Sequence, residues 1–475
     1  MQIRSFDVDK LMRRFEELRR PYVWIALICF LLVAPAITLR GAHFEEGTVI
    51  GLARGAFEDG HWLTPFLYGA RFAERPALFS WLLALVGLGT GAVTDWMARI
   101  PVALSLFAGA SLIFYLVRKY VSASAAFIGV LCFAASPIVL QKVATAETDL
   151  FVSVLVFSAF VVLWDGEQQR GAGVGRWSAV ALILSIAVLV KGPPPLGFFF
   201  IGLGAYFLLR REWLNFIRLG LIGLIPAALV VAWYMSVYQP GDEAEWIRYN
   251  RLNLVSPGRY IGDVAAFAVA AVFEFLPGWP LVIPLAVPAL RRQLSQEDKL
   301  LAALVLYAGP CLALLILWPG AHPRYAMPAI LAVAAVAGIA FDRLRADYPR
   351  LISATSLLVA GLLIYRVTLN WLVMPFAPQL FQQSRYYGQA VAAAMASRPE
   401  PLYATPETTD SNLFVYVPFR IRIVSFDAIA KMQPPIWALV TADQERILRS
   451  LKSDNAIVPR LAVKRRFAWD LIEIR

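Results

Sequence analysis

Charge is scarce in this chain. Asp, Glu, Lys and Arg make up 16% of its 475 residues, where a soluble domain carries about a quarter. With 59% hydrophobic residues and a mean hydropathy of +0.63, an ordinary soluble fold is excluded. Acids are the rarer sign, 33 against 44 basic residues, for a net charge of +11. In a soluble protein that excess would suggest nucleic acid. Here it reads as lysine and arginine holding cytoplasmic ends in place, so no nucleic-acid partner is expected. The three cysteines, Cys29, Cys132 and Cys311, sit inside apolar runs and offer no disulfide framework. No pair among His43, His61 and His322 has ligand spacing, so no metal site is indicated. Neither an internal repeat nor a low-complexity tract is evident. The first apolar run passes straight into HFEE without a small-residue cleavage site, so a cleavable signal peptide is not expected.

What is present is apolar length. Runs able to span a membrane recur from residue 21 to 374, each crossing needing about 20 residues. The tail 1–20, with Lys10, Arg13, Arg14, Arg19 and Arg20, reads as cytoplasmic and as a basic surface helix. Spans are expected at 21–39, 97–117, 122–141, 150–164, 177–190, 196–209, 219–237, 265–290, 300–318, 326–341 and 351–373. That is an α-helical polytopic membrane protein of about eleven helices, N-terminus inside and C-terminus outside. The segment 76–94, PALFSWLLALVGLGTGAVT, could also cross. Counted as a span, it would put Arg118-Lys119 and the later arginine pairs outside. Laid along the outer interface, it leaves Arg118-Lys119, Arg170/Arg176, Arg210-Arg211, Arg291-Arg292 and Arg343/Arg345 inside, so an interfacial helix is expected.

A membrane domain over 21–374 follows, with outer loops 40–96, 142–149, 238–264 and 319–325. Beyond 374, β-rich runs at 401–405, 420–426, 436–441 and 460–474 interleave with helical patterns at 381–397 and 442–453. Residues 375–475 therefore read as a small α/β domain on the outer face, a lid or stability module without chemistry of its own.

The outer loops gather Glu45, Glu46, Glu74, Glu147 and Asp149 beside Arg54, Arg71, Arg75, Lys142, Arg248, Arg251, Arg259 and Arg324. Short translocated loops ordinarily avoid basic residues, and binding of a phosphate or other anion is the simplest reason to keep them. Glu45 and Glu46 read either as solvated loop charges or as fixed carboxylates for general-base chemistry, in a loop anchored by Trp62 and Tyr68. Asp149 is a second carboxylate for the same cavity or an N-cap. Lys191, before Gly-Pro-Pro-Pro, lines a break at membrane depth or snorkels to the interface. Arg324 and Tyr325 form a positive anchor or another anion contact. Arg54, Trp62 and Tyr68 join the candidate substrate contacts.

In order, these motifs resemble the GT-C membrane glycosyltransferases, nearest the protein-mannosyltransferase group that includes the lipid A aminoarabinose transferases. That family places an Asp-Glu pair after its first span, then Gly-Asp-Trp-x-x-Pro, then aromatic-x-Glu-Lys-Pro-Pro-Leu before an interfacial helix. Here the pair is Glu45-Glu46, followed by GHWLTP at 60–65 and FAERPALFSW at 72–81. Arg99 of MARIP, Asp149, VKGP at 190–193 and RYAMP at 324–328 continue the series, and the likeness covers about residues 20–345. Glutamate stands for the first aspartate, Arg75 for the lysine and Ala77 for the second proline.

The resemblance implies an enzyme of the bacterial inner membrane, its active site facing the periplasm. It would take a sugar from a polyprenyl-phosphate donor to a lipid or glycan acceptor such as lipid A, lipopolysaccharide or another envelope glycan, by inverting transfer. By the same resemblance Glu45 is the base, Glu46 its acidic neighbour and Asp149 a group that helps orient or activate the acceptor. Arg75 holds the carrier phosphate, with Lys191, Arg99, Arg324 and Tyr325 as further contacts. Arginine and lysine suffice for a leaving phosphate, so no cofactor is required. Two other classes compete, a lipid-linked-sugar flippase and a catalytically inactive relative, with a protein O-glycosyltransferase as a variant of the main reading. A flippase predicts charges in mid-span and internal repeats, and neither is evident.

Overall fold

The structure is a computed structural model that describes residues 15–17, 19–170, 173–243, 257–286, 299–318, 321–398, 400–452, 456–464 and 468–475. The expected surface helix of the tail, and Arg248, Arg251, Arg291 and Arg292, lie outside the described residues.

The first span, α1 (Pro21–Leu39), starts on a proline, whose missing N–H costs nothing in a first turn. A short amphipathic helix, α2 (Glu46–Asp59), follows at once. A small hairpin, β1 (Phe66–Leu67) and β2 (Ala70–Arg71), then leads to α3 (Leu78–Thr90). At 13 residues, α3 is roughly 20 Å long, too short for a hydrocarbon core of about 30 Å. It packs Phe79, Leu83 and Ala84 inward beside α2, where the Ser80 hydroxyl donates to the Val49 carbonyl at 3.0 Å, and leaves Leu82, Leu85 and Leu88 exposed. That is the shape of an interfacial helix.

The bundle continues with α4 (Asp95–Tyr120), α5 (Ala123–Ala135), α6 (Pro137–Lys142), α7 (Thr148–Arg170), α8 (Val174–Lys191), α9 (Pro194–Leu209) and α10 (Trp213–Val237). After α11 (Pro257–Glu274) come α12 (Lys299–Leu317), α13 (Met327–Leu344) and α14 (Pro349–Thr368). Eight described helices, counting the turn that opens α13, are long and apolar enough to cross a membrane; α3, α5 and α9 are apolar but shorter. The chain is a multi-pass membrane protein.

Two expected spans differ. The run 122–141 is broken at Ser136, whose backbone is extended ahead of Pro137, so it forms α5 and then α6. Proline disfavours helical conformation in the residue before it and supplies no N–H. The run expected at 265–290 starts instead at Pro257 and stops at Glu274, before Pro277 and Gly278. The stretch after Gly278 forms two short turns, Trp279–Val282 and Ile283–Ala286.

At the centre stands α13, with 89% of its apolar window buried against α5, α12, α7 and α4. Its sequence is rich in alanine, and small residues let helices approach closely where lipid gives no hydrophobic drive. By contrast α1, α10 and α14 bury only 28%, 22% and 22% of theirs and present the rest outward.

The expected α/β domain is present. Its sheet runs β4 (Ile421–Ile423), β3 (Leu402–Ala404), β5 (Ile436–Val440), β7 (Ala468–Ile474), β6 (Ile457–Lys464), parallel over the first three and antiparallel over the rest. Helices α15 (Gln383–Met395) and α16 (Ala442–Leu451) accompany it. The β-rich run 460–474 falls on β6 and β7.

Candidate active site

Five separate stretches of chain bring their charges to one place. Glu45 precedes the first turn of α2, where its carbonyl accepts from Thr48 and Val49, and its side chain leaves the helix axis. Arg75 lies in the connection from the β1–β2 hairpin to α3. Arg324 sits in the 3-10 turn Pro323–Ala326 that opens α13. Asp149 is in the first turn of α7, and Lys191 ends α8, after which Gly192 turns the chain at φ 78°.

The Glu45 carboxylate is shared between two guanidiniums. Its Oε1 pairs with Arg324 Nη2, and its Oε2 lies 3.3 Å from Arg75 Nη2. Arg75 Nη1 reaches Glu74 at 2.7 Å. Arg324 Nη1 lies 3.5 Å from Glu147 Oε1, whose other oxygen takes Lys142 Nζ. Lys191 Nζ closes onto Asp149 Oδ1, and both it and Arg324 lie over the Tyr325 ring, at 5.7 and 5.5 Å. Four cations thus face four carboxylates.

Burial pushes Glu45 up, yet Arg75 and Arg324 outweigh it and hold the carboxyl below the usual range. Glu147 goes the other way: burial raises it, Lys142 offsets part, and the charges of Asp149 and Glu45 raise it further. Two carboxyl groups around one arginine are therefore driven apart, which is how acid and base roles become separated.

Beneath this cluster is a closed layer. Glu46 is fully buried and takes Arg99 on both oxygens, Nε to Oε1 at 2.7 Å and Nη2 to Oε2 at 3.0 Å. His43 Nδ1 and the Ala146 amide add contacts at 2.9 and 2.8 Å. Burial pushes Glu46 up, but Arg99 and His43 prevail and hold it at about 2. Arg99 in turn donates to the carbonyls of Ile37 and Arg40 at 2.7 and 2.8 Å. Glu46 and Arg99, both inaccessible, tie the end of α1 to α2, α4 and the 143–147 turn.

The structure brings Glu45, Arg75, Asp149, Lys191, Arg324 and Tyr325 together. It takes Arg99 away from any phosphate-binding role, because its guanidinium is spent on Glu46 and on carbonyls. Arg54 and Tyr68 are also elsewhere. Arg54 donates to the carbonyls of Val415 at 2.7 Å, Phe414 at 3.2 Å and Val417 at 3.3 Å, and so holds the C-terminal domain. The Tyr68 hydroxyl donates to Gly47 and Ser411 carbonyls at 3.0 and 3.2 Å. Trp62 packs at the edge of the membrane core.

Lys142, Glu74 and Glu147 join the site without having been singled out. Their signal was present, since each is a charge beside an apolar run. Their pairing needed the fold. The histidines do not gather: His43 serves Glu46, His61 stacks on Phe66 and His322 meets Tyr325 edge-on. Among the described residues no three of His, Cys, Asp and Glu converge as metal ligands.

The fold is shared with solved structures of two membrane proteins. Crystal structures of ArnT from Cupriavidus metallidurans superpose over 95% of this chain and 97% of theirs, at 18% identity. The TM-score is 0.70 with undecaprenyl phosphate bound and 0.71 in the apo state. An Archaeoglobus fulgidus oligosaccharyltransferase is more distant, with TM-score 0.53 and 14% identity over 85% of this chain and 61% of its own. The family model for dolichyl-phosphate-mannose-protein mannosyltransferase matches residues 74–235. In sequence the chain is similar to undecaprenyl phosphate-alpha-4-amino-4-deoxy-L-arabinose arabinosyl transferase 1 of Pseudomonas fluorescens strain Pf0-1, 23% identical over 333 residues. That match covers 67% of this chain and 57% of the relative, so the chain spans under two thirds of that protein's length. The transferase of that kind from Pseudomonas aeruginosa strain LESB58 is 26% identical over 384 residues, covering 76% of this chain and 68% of its own.

Proposed function

We propose that this chain is a glycosyltransferase moving a sugar from a polyprenyl-phosphate carrier to a lipid or glycan acceptor, lipid A and other envelope glycans being the class in view. Its site would face the periplasm from the bacterial inner membrane, with the N-terminus inside, as the positive ends of the helices favour. The observation that carries the reading is Glu45 held between Arg75 and Arg324 at the outer mouth of the bundle.

A carrier phosphate competes with Glu45 for those guanidiniums, which bind phosphate in the same forked geometry as carboxylate. Donor binding then loosens Glu45 and raises its basicity next to the substrate. The acceptor hydroxyl attacks the anomeric carbon, its proton passes to Glu45, and the bond to the carrier oxygen breaks with its electron pair leaving on the phosphate. Arg75, Arg324 and Lys191 stabilise that developing charge. Asp149 positions Lys191. One carboxylate as base without a covalent intermediate predicts inversion.

The test is transfer by the purified full chain in nanodiscs, from a polyprenyl-phosphate sugar to an envelope glycolipid fraction read by mass spectrometry. Glu45→Ala and Asp149→Ala are expected to lose turnover by about 10²-fold or more. Turnover equal to the natural chain in both variants refutes the mechanism.

A further inference from the structure

The C-terminal part of the chain reaches into the loop that carries Glu45. Between α1 and α2 the main chain of residues 41–47 is held from the far end of the sequence. The Gly41 amide donates to the Phe381 carbonyl at 2.8 Å, and the Ser384 hydroxyl donates to the Ala42 carbonyl. Nearer the base, one side chain takes both flanks of the acidic pair. Asn412 Nδ2 donates to the Phe44 carbonyl at 2.9 Å, and its Oδ1 accepts from the Gly47 amide at 3.0 Å. A carbonyl only accepts and an N–H only donates, so these two partners fix which end of the amide is which.

Asn412 is itself set firmly. It lies in the short helix Ser411–Phe414, where the Asp410 carboxylate accepts from the amides of Asn412 and Leu413 at 3.0 and 3.2 Å. Leu413 and Phe414 anchor that turn in the core of the α/β domain. It sits so close on α2 that Gly47 has no room for a Cβ, and the Tyr68 hydroxyl bridges the two turns.

The bracketed turn is strained. Phe44 takes φ 52°, in the left-handed region that a bulky side chain rarely adopts. Such a residue persists where its surroundings over-determine it. Here the Phe44 carbonyl is held by Asn412, and its ring lies under Lys142 Nζ at 4.4 Å. Past this turn Glu46 goes inward to Arg99, while the polar partners of the Glu45 carboxylate among the described residues are Arg75 and Arg324. A carrier phosphate that takes those two guanidiniums leaves the aim of Glu45 to its backbone.

We infer that Asn412 is a positioning residue for the base. From the α/β domain it holds the Phe44–Gly47 turn, so that Glu45 keeps its aim when the donor phosphate occupies Arg75 and Arg324. The inference rests on the transfer reading above, and it gives the domain a part in building the site. Asparagine fits the task because one planar group supplies the donor and the acceptor. Asn412→Leu keeps the bulk and removes both bonds. Asn412→Asp keeps the Gly47 bond and loses the one to Phe44.

The experiment measures transfer by the full chain in nanodiscs for Asn412→Leu, Asn412→Asp, Glu45→Gln and the double variant Asn412→Leu with Glu45→Gln. Asn412→Leu is expected to lower kcat by about 10²-fold. The donor KM is expected to stay level or fall, because a Glu45 that swings away competes less for the arginines. Asn412→Asp is expected to show a smaller fall, and it carries the comparison if Asn412→Leu fails to fold. In the Glu45→Gln background the same change is expected to cost nothing further, since groups that act as a unit are not additive. Arg422→Gln, which frees the domain from Asp59 at the other end of α2, where the contact is 3.2 Å, is expected to keep the natural kcat. An unchanged kcat in the Asn412 variants overturns the inference. So does an equal loss with and without Glu45, a raised donor KM at natural kcat, or an equal loss from Arg422→Gln. Natural turnover in Glu45→Gln refutes the transfer mechanism and the inference with it, whereas loss in Glu45→Gln without loss at Asn412 refutes the inference alone.

Discussion

Glu45 holds its position because two arginines compete for it, and this sets how it responds to change. Glu45→Gln keeps the shape but removes both the proton acceptor and the charge that competes for Arg75 and Arg324, so transfer is expected to fall by about 10²- to 10⁴-fold while donor binding tightens. Glu45→Asp withdraws the carboxylate by one methylene, and a displacement of about 1 Å costs about 10²-fold; measured turnover above that of Glu45→Gln is the expected order. Below it, Glu46 tolerates less. Arg99→Met leaves a fully buried carboxylate with the neutral His43 ring and the His43 and Ala146 amides as its remaining hydrogen-bond partners, and losing one partner of such a pair costs about 3–5 kcal/mol. A matching drop in melting temperature in detergent checks this. The motif series brought Glu45, Arg75, Asp149, Lys191, Arg324 and Tyr325 within sight. It set Glu45 as the base and Glu46 as its neighbour but could not show that Glu46 is sealed against Arg99, because adjacent acids at a helix start differ only in which way the chain turns them.

At the scale of elements, two glycines do work that composition does not reveal. Gly192 takes φ 78° directly after Lys191, and a Cβ there would lie 3.4 Å from Tyr234 Oη and 3.8 Å from Arg75 Cβ. Both contacts are ordinary, so the cost lies in the backbone: at φ 78° and ψ −154° Gly192→Ala is expected to strain the turn by about 1–3 kcal/mol and, by displacing Lys191, to raise KM for the donor more than it lowers kcat. Gly47 lies in the first turn of α2, where a Cβ would collide with the Ser411 carbonyl. Its amide donates to Asn412 Oδ1 at 3.0 Å. Gly47→Ala is expected to loosen the C-terminal domain, seen as faster proteolysis between residues 375 and 400. Helix lengths and the interfacial α3 were readable from hydropathy and arginine placement. The breaks at Ser136 and Glu274 were not, since a run interrupted by proline looks the same as one that tolerates it.

Across the whole molecule, the C-terminal domain is part of how the outer loop is held. Tyr416 donates to Asp95 at 2.6 Å, accepts from the Ala42 amide at 2.7 Å, and joins Arg385 on the same aspartate. The titration of His43 reports on that assembly. Burial pulls its ring to about 4, despite the hydrogen bond to Glu46, against 6.5 when exposed. Between those values the unfolded chain takes up a proton that the folded chain refuses. Stability is therefore full above pH 6.5 and declines as pH falls toward 4, by about 3 kcal/mol at most. Melting curves at pH 7.5 and 5 are expected to show the loss, and His43→Gln to flatten it.

Hydropathy and the ordered motifs, all local along the chain, were enough to determine a polytopic membrane protein with a charged loop after its first span and a small α/β domain. Pairing is not local. Glu45 meets Arg324 and Arg54 meets Val415 across hundreds of residues, and whether a buried charge is satisfied depends on which helix end lies beside it. Only the tertiary structure decided that Glu46 is sealed against Arg99, that Arg54 and Tyr68 reach the C-terminal domain, and that Glu45 stands between Arg75 and Arg324.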